Sequence, residues 1–101
     1  MHLDPQRLQE EQLDNSVSLE PLSRVLVHND EITPYDFVIV TLARFFDLDV
    51  HRAELITWTA HNSGLALVAI LPLDAARRKV GKAHFAASLE GYPLLFTIEQ
   101  E

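Results

Sequence analysis

Val25-Leu26-Val27-His28-Asn29-Asp30-Glu31-Ile32-Thr33-Pro34-Tyr35-Asp36-Phe37 is the stretch whose reading decides the fold. Its opening predicts a short β-strand over 24–28, with Val25 and Val27 on one face. Its end predicts a helix. Thr33 stands at an N-cap position, and Pro34 at the first helical position, where a missing N–H costs nothing. Asp36 falls where a carboxylate favours the helix dipole. The spacing of Phe37, Val38, Thr41, Leu42, Phe45 and Phe46 predicts a buried stripe on a helix over 34–46. Between strand and helix lies a polar loop, Asn29-Asp30-Glu31, with three acceptors in a row.

Downstream, Asp47-Leu48-Asp49 breaks the helix, and Asp49 is placed to cap a second one carrying Val50, Ala53, Ile56 and Ala60. That helix ends near Asn62-Ser63-Gly64, where Gly64 suits a left-handed residue. The continuous apolar run 65–71, bounded by Gly64 and Pro72, reads as a strand buried on both faces or central in a small sheet. Pro72 opens a third helix through Ala75, Ala76, Val80, Ala83 and Ala87 to about Leu89, and Gly91 ends it. A last strand is expected over 94–98. The order βααβαβ predicts an α+β domain, with one three-stranded sheet and three helices covering one face. By length alone, the helical connection between the second and third strands permits either a parallel or an antiparallel pair.

Residues 1–23 read as a flexible N-terminal extension before a folded domain over 24–101. Asp4, Glu10, Glu11, Asp14 and Glu20 oppose Arg7 alone, Leu8 and Leu13 are isolated, and aromatic residues are absent. Such a segment buries too little apolar surface to offset its ordering entropy, although it admits a transient helix over 5–13. The whole chain has 101 residues and suits one domain. A formal net charge of −7 argues against general binding to nucleic acid or to an anionic membrane. The absence of cysteine excludes disulfides, thiolate metal sites and thiol nucleophiles, and fits a cytoplasmic location. The polar, acidic first residues read as lacking a signal peptide, and the apolar run 65–73 is far too short to span a bilayer.

Little in the chain suggests catalysis. The chain has only three glycines and no phosphate-binding glycine loop, and no serine sits in a nucleophile elbow. His28, Asp30 and His61 are candidates to converge, but their spacing matches no metal motif, so no metal or other cofactor is expected. His61 alone fits a helix-terminal cation. His2, His51 and His84 read as surface histidines. Arg77-Arg78-Lys79 with Lys82 forms a basic cluster on an acidic protein, either a solvated helix face or a docking surface for an acidic partner. By composition alone the Asn29-Asp30-Glu31 loop is a plain polar turn. Its neighbours widen its chemistry. A carboxylate and an amide oxygen accept hydrogen bonds from an ammonium, at about 1.5–3 kcal/mol net each. A large apolar side chain buried in an adjoining pocket contributes about 1.5–3 kcal/mol more. Together these terms support micromolar binding of a free amino terminus with a large apolar first residue.

Val25 to Val38, read as Val-Leu-Val-His-Asn-Asp-Glu followed by Thr-Pro-Tyr-Asp-Phe-Val, resembles the ClpS adaptor family. So do Asp49-Val50 with Arg52-Ala53, His61-Asn62-Ser63-Gly64, Lys79-Val80 and Tyr92-Pro93-Leu94-Leu95. The resemblance covers 24–101. It implies a three-stranded antiparallel sheet and an adaptor rather than an enzyme. Such an adaptor is expected as a monomer that binds N-degron peptides and proteins and delivers them to a ClpA-type AAA+ unfoldase with ClpP. Carried over by position, Asn29, Asp30 and His61 bind the substrate's α-amino group. Thr33, Tyr35, Val38, Thr57, Ala60 and Leu94 line the side-chain pocket, and Asp74 and Lys79 face the unfoldase. The extension is what the unfoldase engages.

The chain also departs from the family pattern. Tyr35 and Thr57 stand where methionine is common, and Ala60 where valine is usual. Smaller Thr57 and Ala60 predict room for Ile or Val as first residue unless the Tyr35 ring fills it. Pro72 replaces a capping hydroxyl residue, and Arg77-Arg78 replace acidic or neutral ones. The alternatives are an interaction module of the same fold with a different ligand and a small metal-dependent hydrolase.

Overall fold

The computed structural model describes residues 20–101. In order, the elements are β1 (Leu22–His28), α1 (Tyr35–Phe45), α2 (Val50–Ser63), β2 (Leu65–Pro72), α3 (Leu73–Leu89) and β3 (Leu95–Gln100). The fold is α+β with the expected element order, and both strand pairs are antiparallel. Most of the expected extension, the helix over 5–13 and His2 lie outside the described residues.

β1 is the central strand, in the order β2-β1-β3. It begins at Leu22, earlier than the expected Arg24. Ser23 is fully buried, and its hydroxyl donates to the Leu71 carbonyl at 3.0 Å. A polar residue after Pro21 hid this from the apolar pattern. A bulge opposite Val25 and Leu26, which pair with Ala69 and Leu67, lets both Val68 and Ala69 pack toward the helices.

The run 65–71 is neither buried on both faces nor central. β2 is an edge strand, with Ala66 and Val68 buried while Leu65, Leu67 and Ile70 stay exposed. The helices cover one sheet face, and among the described residues no element covers the other. A run of leucine, alanine and isoleucine carries no alternation to reveal which side is open.

Against the covered face, the core gathers Val25, Val27, Leu42, Phe46, Val80 and Phe96 with Ala53, Ala76, Ala83 and Ala87. The alanines are almost fully buried and bring helix backbones close to the sheet. Asp49 caps α2 by accepting from the Arg52 N–H at 2.8 Å, as expected. Gly64 and Gly91 adopt the left-handed region at φ 96° and 76°. Pro72, at the N-cap of α3, offers no side-chain cap. The chain entering β1 supplies the missing acceptors instead. The Glu20 carboxylate takes the Asp74 N–H at 2.9 Å, and the Pro21 carbonyl takes the Leu73 N–H at 3.0 Å.

His84 is not a surface histidine. Its ring packs on Phe96 with centroids 5.8 Å apart, and Nε2 accepts the Phe96 N–H at 3.0 Å. That bond requires an unprotonated Nε2, and burial holds the imidazole below its ordinary pKa. The unfolded chain therefore takes up a proton more readily than the native one. The stability carried by the neutral ring is full above about pH 6.5 and is lost as pH falls through the lowered value. The thermal midpoint is expected to drop less between pH 7 and 5 in His84→Gln, which keeps an acceptor without titrating. Equal drops in both proteins would remove His84 from the acid response.

Candidate functional site

The loop after β1 is locked by its own side chains. Asp30 Oδ1 accepts the N–H groups of Ile32 at 2.8 Å and Thr33 at 2.6 Å, and Oδ2 accepts the Thr33 hydroxyl at 2.9 Å. Thr33 is therefore not the N-cap of α1. Pro34 holds that position without a side-chain cap, and the Thr33 hydroxyl points back to Asp30. The physical reason is local competition: a carboxylate accepts a stronger bond than a neutral backbone arrangement offers. Partial burial alone would raise the Asp30 pKa. The backbone N–H groups of Thr33 and Ile32 and the Thr33 hydroxyl outweigh it and hold the carboxyl below its ordinary value. Asp30 is thus a fixed anion. Of the about four acceptor sites on a carboxylate, three are used, and one lone pair of Oδ2 is left for a ligand.

A tertiary bond brings the second half of the site. The Asn29 N–H donates to the Gly64 carbonyl at 2.9 Å, joining the loop to the end of α2. His61, in the last turn of α2, thereby reaches the same cavity as Asn29 and Asp30. Its ring meets Tyr35, the first residue of α1, edge to face with centroids 5.7 Å apart.

The cavity has a volume of about 300 Å³. One end is polar, with Asn29, Asp30, Thr33 and His61. The other is formed by Val38, Thr57, Ala60 and Leu94, all buried, with Tyr35 half-exposed at the rim. Thr57 adds little polarity, because its hydroxyl donates to the Ala53 carbonyl at 2.7 Å. Every residue named for the amino group or the side-chain pocket borders this one cavity. Val27, His28 and Glu31 line it too, so His28, Asp30 and His61 do converge on one space, although none of Val27, His28 and Glu31 is among the residues expected to bind the amino group or the side chain. Val27 was signalled by strand alternation, and Glu31 by its place in the acceptor run.

Asp74 and Lys79 lie elsewhere, on α3. Lys79 Nζ is held by Asp47 Oδ2 at 2.7 Å, and Asp74 sits 3.8 Å from Arg78. Asp47 adopts a left-handed φ of 56°, which aspartate tolerates. The hydrogen bond and charge of Lys79 keep its carboxyl below the ordinary pKa. Arg77, Arg78 and Lys82 border a different groove with Arg44, Phe85 and Leu89.

His28 Nε2 lies 2.7 Å from the Thr97 hydroxyl and is engaged there. Among the described residues, no group of three or more His, Cys, Asp or Glu side chains is placed to share a metal ion. No helix among them is long and apolar enough to cross a membrane.

The family model described as ATP-dependent Clp protease adaptor protein ClpS matches residues 18–97. An ATP-dependent Clp protease adapter protein ClpS 2 of Mesorhizobium japonicum is 41% identical over 80 residues, 79% of each chain. The corresponding adapter protein ClpS of Sodalis glossinidius is 36% identical over 98 residues, 97% of this chain and 92% of the relative. The solved structure of Agrobacterium tumefaciens ClpS2 bound to L-phenylalaninamide superposes with a TM-score of 0.77 at 34% identity, covering 80% of this chain and 98% of that one.

Proposed function

This chain belongs to the ClpS family, and from that premise we propose that it is an N-degron adaptor: it holds proteins by a free amino terminus bearing a large hydrophobic first residue and delivers them to a ClpA-type AAA+ unfoldase with ClpP. The observation that carries the reading is one cavity with a fixed anion at one end and a buried apolar wall at the other. L-phenylalaninamide, the ligand of the related structure, pairs an amino group with an aromatic side chain in the same way.

An α-ammonium offers three N–H donors. Asn29 Oδ1, the remaining lone pair of Asp30 Oδ2 and an unprotonated ring nitrogen of His61 supply three acceptors. The Asp30 charge balances the ligand's, and the intraloop bonds hold it in place before the ligand arrives, so little ordering entropy remains to be lost. The first side chain then enters between Val38, Ala60 and Leu94. Thr57 and Ala60 set the pocket's depth and Tyr35 its mouth. Binding and presentation are this chain's part, in the cytoplasm, and peptide-bond cleavage belongs to ClpP. Asp74 and Lys79 mark the face of α3 that meets the unfoldase, and the extension before β1 is the segment it engages.

The test is fluorescence anisotropy with peptides differing only at the first residue. Leu, Phe, Tyr and Trp are expected to bind in the micromolar range. N-acetylation, which removes the charge and two of the three donors, is expected to weaken binding at least about a hundredfold. Equal affinity for acetylated and free peptides would overturn the proposal. The rank of Ile and Val against Leu reports whether the space opened by Thr57 and Ala60 is usable or filled by Tyr35.

A further inference from the structure

The geometry points to a second subsite beside the cavity, which takes the apolar side chain of the third residue of a bound peptide. It rests on the reading of the cavity as an amino-terminus site.

Tyr35, Ile39, Leu55 and Trp58, with His51 and Glu54, border a groove of about 490 Å³ between α1 and α2. Trp58, the chain's single tryptophan, is 60% exposed, and Leu55 beside it is 54% exposed. Neither belongs to the core. Large side chains placed side by side in the open mark a contact surface better than scattered ones do.

Continuity with the cavity identifies the occupant. Tyr35 borders both spaces. Thr57 of the cavity precedes Trp58 of the groove, and His61 stands one helical turn beyond Trp58 on α2. In an extended peptide alternate side chains face the same way, about 6.6–7 Å apart. A first residue pointing into the cavity therefore turns the second toward solvent and the third back to the protein. A helical turn rises about 5.4 Å, so the third side chain spans the step from His61 to Trp58. The groove's walls are aromatic and aliphatic, and Glu54 and His51 give it polar groups for the peptide backbone.

The experiment compares Phe-Gly-Leu-Gly, Phe-Leu-Gly-Gly and Phe-Gly-Gly-Gly, each with a free amino terminus and a dye at the carboxyl end. Leucine at the third position is expected to tighten binding about five- to tenfold over glycine. At the second position it is expected to change little. In Trp58→Ala the ratio between the third-position peptides is expected to fall to about one. With unlabelled peptides, emission from the single tryptophan is expected to shift to the blue only for Phe-Gly-Leu-Gly. Equal binding of all three peptides, or a gain confined to the second position, overturns the subsite and leaves amino-terminal capture standing. Failure of all three to bind overturns both. A flat panel together with slower sedimentation of the wild type than of Trp58→Ala at equal concentration is also inconsistent with the subsite. Faster sedimentation of the wild type with a flat panel assigns the groove to a second copy of the chain and overturns it as well.

Discussion

Asp30→Ala is expected to weaken amino-terminal peptide binding by about one to two orders of magnitude. Two losses combine. One is the charge-assisted bond to the ammonium, worth about 1.5–3 kcal/mol net. The other is the loop itself, because Asp30 is the common acceptor for Ile32 N–H, Thr33 N–H and the Thr33 hydroxyl. Asp30→Asn separates them. Its amide oxygen still accepts the two N–H groups that Oδ1 now holds, and its NH₂ can donate to the Thr33 oxygen. Asparagine therefore keeps the loop while removing both the charge and the Oδ2 acceptor, and is expected to cost at least about tenfold. Anisotropy measures both variants, and the Asn29 and Thr33 amide resonances report whether the loop survives. Binding by Asp30→Asn equal to wild type would remove charge from the mechanism. The loop's acid response follows from the lowered pKa of Asp30. The stability it contributes is present above about pH 3.9, the ordinary aspartate value, and is lost as pH falls through the lowered one.

Leu42→Ala is the stability prediction with the largest effect. Leu42 is fully buried at the centre of α1, against a core that includes Val25, Val27 and Phe96. Truncation removes apolar contacts and leaves a cavity, at a cost of about 2–5 kcal/mol. Domains of this kind hold about 5–15 kcal/mol in all, so the variant is expected to fold with little margin. Urea unfolding should show a lower midpoint with an unchanged slope. A loss under about 1 kcal/mol would mean that the neighbouring side chains close over the gap. Because α1 also carries Tyr35 and Val38, the substitution is expected to weaken peptide binding as well.

Some features were legible because their causes are local. Asp49 caps α2 with its own side chain, and Gly64 and Gly91 sit where a positive φ is needed. The break after α1 and the helix signal before Tyr35 are one-dimensional patterns too. Other features depend on partners distant in the chain. Ser23 joins β1 because Leu71 accepts its hydroxyl, and His84 is packed because Phe96 arrives from β3. Lys79 meets Asp47 across 32 residues. Pro72 is tolerated at the start of α3 because Glu20 and Pro21 supply acceptors from the other end of the chain.

The Asn29-Asp30-Glu31 loop shows where the division falls. The residues alone determine that a fixed acceptor cluster lies between a strand and a helix, since Asp30 and Thr33 find each other within three positions. They also determine the spacing that buries Val38 and Leu42 on one side of α1. Only the tertiary structure decides that the cluster is one end of a cavity, because the Asn29–Gly64 bond and the packing of α2 bring His61, Thr57 and Ala60 to it. Short-range hydrogen bonds are encoded in neighbouring letters. A cavity is the space left between elements, and its walls exist only after the sheet and helices have closed around it.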